Sequence, residues 1–233
     1  MRAGTYAVIP VKPFASAKRR LAHILNSYER AHLAELMLSD VLDSVHAART
    51  LAGAVVVTCN RDAAAMARAH GMRVLLEDGE FGLTTAIERG LSAVNDLANG
   101  AVIIPSDIPQ LPSGTIDAVV GKTPDRGVTL VPAMYDGGTN LLCLRSPRVM
   151  TPMYGPDSFN RHHSAALKAG ARTRIHMCPL AGNDLDEPRD LLTFLSFNSA
   201  TRTQHFLSTL GIAQRNAALL DLGFPADFAR ASA

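Results

Sequence analysis

The chain of 233 residues has no tryptophan, and only 5% of its residues are aromatic. A groove that stacks nucleobases along a strand needs several aromatic rings and a surplus of positive charge. Here 23 lysines and arginines stand against 21 aspartates and glutamates, a net charge of +2, so the composition argues against a nucleic-acid partner. The three cysteines, Cys59, Cys143 and Cys178, are widely spaced in apolar runs rather than in paired motifs. They read as buried thiols in a reducing compartment. No apolar run approaches the ~20 residues that cross a bilayer, and Met1 to Thr5 leads into a strand-like stretch without a signal-peptide core. Neither a Gly-X-Ser-X-Gly elbow nor a Walker-type glycine loop occurs, which argues against serine hydrolases and P-loop ATPases. The expectation is a cytoplasmic protein that handles a small molecule, with no nucleic acid and no membrane as partner.

The length suffices for one sizeable core. Strand-like apolar runs recur at Tyr6–Val11, Ala54–Thr58, Arg73–Leu76, Ala101–Ile104, Gly127–Val131, Asn140–Leu144 and Thr173–Met177. Between most of them lie segments of helical period, which predicts an α/β fold with a mostly parallel sheet flanked by helices. A helix is expected from Ser27, as N-cap, to about Ala47. Others are expected over 61–70, closed by Gly71, over 85–97, and over 159–168, stopped by Gly170. The glycine turn between Val128–Pro132 and Asn140–Leu144 predicts an antiparallel hairpin within the sheet. Residues 1–195 read as the main domain. Phe194, Phe197, Phe206, Leu207, Leu210, Leu219, Leu220 and Phe224 mark a helical C-terminal extension over 196–233, whose apolar faces need burial on the same domain or in a homodimer.

Several turns at the ends of apolar runs carry chemistry. Asp107 follows Ala101-Val102-Ile103-Ile104, a run suited to a central strand buried on both faces, and ligands of open α/β sheets bind beyond the carboxyl ends of such strands. Pro105 and Pro109 would stiffen its turn; an ordinary aspartate in a proline turn is the plainer alternative. Asp184 and Asp186, two apart, face one side on extended backbone and form a hard oxygen pair suited to magnesium. Asp186-Glu187-Pro188 also reads as a helix start with Asp186 as N-cap. Gly137 and Gly138 permit close approach to the main chain, with Thr139 as a hydroxyl beside them. Ser158, after Gly155-Pro156-Asp157, falls at a helix N-terminus, where free amides favour an anion, or simply caps that helix. Lys12, between Pro10 and Pro13, is a better phosphate ligand than Arg19, which should point into water. His162 and His163 diverge by about a quarter turn on a helix, unlike the i, i+4 pairing of helical metal ligands. His23, His32 and His46 read as surface residues.

Taken together, these stations resemble the guanylyltransferases of deazaflavin coenzyme (coenzyme F-420) biosynthesis, which join GMP to a phosphorylated three-carbon acid. The likeness runs from Ile9-Pro10-Val11-Lys12, with Ala17-Lys18 and Arg20-Leu21, through Gly82-Leu83 and Asp107-Ile108-Pro109, to Asp136 through Asn140, Gly155 through Phe159, and Leu185-Asp186 with Pro188 and Asp190-Leu191. It covers about residues 5–195. The resemblance implies a glycosyltransferase-A-like nucleotidyltransferase domain, here opening with Pro-Val-Lys-Pro in place of the glycine-rich loop usual in relatives that load sugars or molybdopterin. It implies Lys12, Lys18 and Asp107 as catalytic, and Pro10, Val11, Lys12, Gly82 and Thr84 as nucleotide-binding. Thr139, Gly155 and Ser158 would bind the acid, and Asp107, Asp184 and Asp186 would bind Mg2+. The family often has asparagine where this chain has Thr84, and a small residue where it has Asp157. GTP and a small phosphorylated acid are the expected substrates, with 3-phospho-D-glycerate placed before phosphoenolpyruvate and 2-phospho-L-lactate on the hydroxyls of Thr84, Thr85 and Ser106. Loading of a sugar phosphate or molybdopterin is the alternative.

Overall fold

The computed structural model describes residues 3–212 and 214–215. Seven strands form one sheet: β1 (Ala3–Val11), β2 (Leu51–Thr58), β3 (Arg73–Leu76), β4 (Ala98–Ile103), β5 (Gly127–Pro132), β6 (Thr139–Leu144) and β7 (Arg172–Ile175). Their order is β3-β2-β1-β4-β6-β5-β7. All neighbours pair in parallel except at β6, which runs against both β4 and β5. The expected hairpin is therefore β5–β6. Because β6 is reversed, its first residue, Thr139, lies at the same sheet edge as the carboxyl ends of β1 and β4.

The helices are α1 (Ser27–Ala47), α2 (Arg61–Ala69), α3 (Leu83–Val94), α4 (Ser113–Lys122), α5 (Ser158–Lys168), α6 (Pro179–Gly182), α7 (Pro188–Ser196) and α8 (Arg202–Thr209). The strand alternation of β1 sorts its side chains to two cores. Ala7, Ile9 and Val11 pack with α1, α2, α4, α7 and α8 on one face, whereas Val8 joins residues of α3 and α5 on the other. Gly90 lets α3 lie close to the sheet, since a Cβ there would meet Val8 Cγ1 at 2.4 Å.

Several caps differ from the sequence reading by one residue. Asn26, not Ser27, caps α1, in a capping box with Glu29; glutamate three residues on makes the earlier position the better cap. Glu187, not Asp186, caps α7, in reciprocal bonds with Asp190 and with Pro188 in the first turn, which leaves the Asp186 carboxylate free to bond elsewhere. Helix α3 starts at Leu83 rather than Thr85 because Gly82, at φ 85°, makes the turn into it. The described part of the extension docks on the main domain: buried Asp40 of α1 accepts bonds from Arg202 N (3.0 Å), Thr203 N (3.0 Å) and Thr203 Oγ1 (2.7 Å) at the start of α8. Leu219, Leu220 and Phe224 lie outside the described residues.

Candidate active site

The carboxyl edge of β1 and β4 opens into a cleft of about 720 Å³. Behind β1, the chain leaves Lys12 exposed and turns through Pro13. Lys18 then adopts the left-handed conformation, φ 54°. That conformation is uncommon outside glycine and mildly strained, and here it accompanies a side chain only 6% exposed, directed at the sheet edge. Lys18 Nζ lies 2.7 Å from Asp107 Oδ2 and 2.7 Å from Asp186 Oδ1. Asp107 arrives on the turn after β4, and the backbone amide of Leu185 donates to the Asp107 carbonyl at 3.2 Å. That one bond ties the Asp184–Asp186 segment to the Asp107 turn, across a long sequence separation.

The electrostatics follow from this packing. Burial alone would lower the Lys18 pKa, but Asp107 and Asp186 outweigh it and hold the ammonium well above its ordinary value. Lys18 in turn holds Asp186 below the usual carboxylate range. Asp184 has no such cation: burial, then Asp107, Asp186 and Asp136, push it up to about 7. Its Oδ1 accepts a longer bond, 3.3 Å, from Asn140 Nδ2, which also donates to Ala181 O at 2.9 Å. Burial pushes Asp190 up to about 6 while its Oδ2 accepts from the amides of Asp186 and Glu187 at 3.0 and 2.6 Å.

Asp136 also lines the cleft where β6 begins, but the three residues that bond to one another there are uncharged. Thr139 N donates to Ser158 Oγ at 2.9 Å, and Thr139 Oγ1 lies 2.9 Å from His162 Nδ1. Ser158 is thus not the cap of α5. Asp157, at φ 54°, takes the cap position, and the serine hydroxyl turns to Thr139 instead. Gly155, at φ 116°, borders the same space.

Of the residues singled out in the sequence, Pro10, Val11, Lys12, Lys18, Gly82, Asp107, Thr139, Gly155, Ser158, Asp184 and Asp186 line this one cleft. Thr84 does not. Leu83, Ala86 and Ile87 turn one face of α3 to the cleft, and Thr84 falls on the exposed side. Among the described residues no trio of Asp, Glu, His or Cys side chains stands as a metal cage; Lys18 instead engages one oxygen each of Asp107 and Asp186. Sequence reasoning set His162 aside and missed Tyr154, while Asp190, part of the motif match, was given no role. The spacing of Ser158 and His162, four apart on one helix, was the available signal, since it puts both on one face.

A mostly parallel sheet with one reversed strand and a charged cleft at its carboxyl edge defines the class: this is the nucleotidyltransferase fold of the nucleotide-diphospho-sugar transferases. The chain superimposes with a TM-score of 0.73 and 19% identity on a candidate nucleotide-diphospho-sugar transferase from Desulfovibrio desulfuricans G20, covering 91% of this chain and 97% of that one. Within that class it belongs to the family "Guanylyl transferase CofC like", whose model matches residues 5–219. It is 36% identical over 190 residues to the phosphoenolpyruvate guanylyltransferase of Conexibacter woesei, covering 80% of this chain and 85% of the relative. It is 35% identical over 210 residues to the 3-phospho-D-glycerate guanylyltransferase of Phenylobacterium zucineum, covering 88% and 95%. The 2-phospho-L-lactate guanylyltransferase of Methanothermobacter thermautotrophicus is 30% identical over 206 residues, covering 88% and 91%. The chain is a guanylyltransferase of this family, as the motifs implied, and among the described residues no helix is long and apolar enough to cross a membrane.

Proposed function

We propose that the protein transfers GMP from GTP to the phosphate of a phosphorylated three-carbon acid, in coenzyme F-420 biosynthesis. The observation that carries this reading is the convergence of Lys18, Asp107, Asp184 and Asp186 beside the neutral trio of Thr139, Ser158 and Gly155 in one cleft. Such a cleft offers charge control at one end and neutral donors at the other. A substrate with one phosphate and one carboxylate matches both.

The attacking group is a phosphate oxygen of the acid, largely ionised near neutrality because its second pKa is about 6. No general base is needed, so the cleft requires none. The oxygen bonds to the α-phosphorus of GTP as the α–β bridging bond breaks, and pyrophosphate leaves with the bridging electrons. Lys12, exposed at the mouth, offers positive charge to the phosphates. Lys18 holds Asp107 and Asp186 in fixed positions and cancels part of their charge.

The residues also fit a hard divalent cation. All candidate donors are carboxylate oxygens, and three of them, Asp107, Asp184 and Asp186, stand against the single buried ammonium of Lys18. Asp107, Asp184 and Asp186 would hold Mg2+. When bound, that ion supplies charge neutralisation to the triphosphate.

Among the acids, 3-phospho-D-glycerate stands first. Of the hydroxyls that suggested it, Thr84 and Thr85 do not line the cleft, but Ser106, next to Asp107, does. The test is to incubate the protein with GTP, Mg2+ and the three acids in competition, then weigh the products. A guanylylated phosphoglycerate is expected. Preference for phosphoenolpyruvate or phospholactate would reverse the order, and no pyrophosphate with any acid would end the proposal.

A further inference from the structure

Thr139 is gripped twice from α5. Ser158 and His162, one helical turn apart, both reach it, and all three are buried: Thr139 is 6% exposed, Ser158 2% and His162 0%. The bond to Ser158 fixes one set of roles. Thr139 N can only donate, so Ser158 Oγ accepts and keeps its own proton for another acceptor.

The bond to His162 runs in either of two senses, decided by the imidazole tautomer. The other ring nitrogen, Nε2, is buried with no hydrogen-bond partner. Tyr154 packs edge-to-face on the ring, with centroids 4.7 Å apart. An orphaned N–H is rarer and more costly in a protein interior than an under-used acceptor. The proton therefore belongs on Nδ1, and Nε2 is the bare nitrogen. The ring is neutral near pH 7, since burial and then the nearby Arg161 hold its pKa at about 4, so it carries that one proton only.

We infer that His162 is a positioning residue for the acid half of the reaction: donating from Nδ1 to Thr139 Oγ1, it turns the threonine proton into the cleft to meet the carboxylate of the acid substrate. With Ser158, the helix thereby presents two hydroxyl protons to one anionic group. His162 stays behind Thr139 and is not a catalytic residue. The inference rests on the guanylyltransferase reading above, in which the acid sits at this end.

Four variants test it: His162→Leu, His162→Asn, His162→Gln and Thr139→Val, with KM measured separately for the acid and for GTP. An asparagine amide reaches the place of Nδ1, whereas a glutamine amide reaches that of Nε2. His162→Leu should raise the acid KM roughly tenfold, the value of one lost hydrogen bond, with the GTP KM changed less than about twofold. Asparagine should return the acid KM to within about threefold of wild type and glutamine should not. In the Thr139→Val background the leucine change should add less than about twofold, because the hydroxyl it orients is gone.

An unchanged acid KM in His162→Leu, a parallel rise in the GTP KM, equal rescue by glutamine, or an undiminished leucine effect beside Thr139→Val would each overturn the inference. If the leucine variant does not melt cooperatively, the asparagine and glutamine pair decides alone. A wild-type protein inactive on all three acids would overturn the parent reading and this inference with it; an active wild type with an insensitive leucine variant would overturn this inference alone.

Discussion

At one end of the cleft Lys18 sits 2.7 Å from each of two carboxylates; at the other, Thr139 is held between Ser158 and His162 with no formal charge among the three. The charged end joins residues far apart in sequence and the other joins the start of β6 to α5, and the two are stabilised differently. The charged end is held by Coulomb attraction in a half-buried setting, where opposite charges reinforce one another, and Asp184, with no such cation, is pushed up by burial first and then by its acidic neighbours. The neutral end is held by directional hydrogen bonds, whose value depends on each donor finding its acceptor. The lesson is a division of labour. On the proposed function, the charged end, with the cation its carboxylates would hold, serves the triphosphate, and the hydroxyl geometry selects the second substrate.

The sharpest break of that comparison is Asp107→Asn. Asparagine keeps an oxygen for Lys18, and Asp186 keeps the lysine paired, so the fold should survive with a cooperative melt. The charge that the reaction needs does not survive, and pyrophosphate release should fall by roughly 10³-fold or more. A folded, active Asp107→Asn enzyme would show that the charged end is structural, and the contrast between the two ends would collapse.

The charged end was legible in the chain because proline and glycine turns bracket its residues at strand ends: Pro105 and Pro109 around Asp107, Pro10 and Pro13 around Lys12. Fold class, hairpin and strand positions were legible for the same reason, since apolar runs and turn residues are local signals. The bond that brings Leu185 to the Asp107 carbonyl is non-local and leaves no such mark. Cap positions slipped by one because Asn26 and Ser27 are both good caps, as Asp186 and Glu187 are both acidic, and only the reciprocal bonds choose between them. His162 was passed over because histidine pairs were weighed as metal ligands. Its role depends on burial, which a half-polar helix does not announce.

The neutral end also predicts a pH response of its own. His162 has a folded pKa of about 4, below its ordinary 6.5. The unfolded chain thus takes up a proton that the folded one refuses, and stability is lost as pH falls from 6.5 toward 4, then levels below 4. The sign is that of a buried neutral histidine. By pH 5 the loss should reach about 2 kcal/mol. Buried acids with raised pKa values, such as Asp190 at about 6, act in the opposite direction over part of this range, so the quantity to measure is the difference between wild type and His162→Asn in urea midpoints at pH 7 and pH 5. Wild type should lose more than the variant. Parallel midpoints would mean that His162 is not buried neutral, and the neutral end would no longer differ from the charged one.

The smallest effect is expected just outside the cleft. The family resemblance implied Thr84 as a nucleotide ligand. In the folded chain Gly82 starts α3 so that Leu83, Ala86 and Ile87 face the cleft and Thr84 faces solvent. A helix fixes that choice rigidly, because a residue one position along is turned by about 100°. Thr84→Ala should therefore change the GTP KM by less than about twofold, and stability by no more than about 0.5 kcal/mol, as for exposed helical sites. A tenfold rise in the GTP KM would show that α3 rotates or unwinds when nucleotide binds. The boundary between cleft and surface would then have to be redrawn at this helix before the charged end is assigned any further ligand.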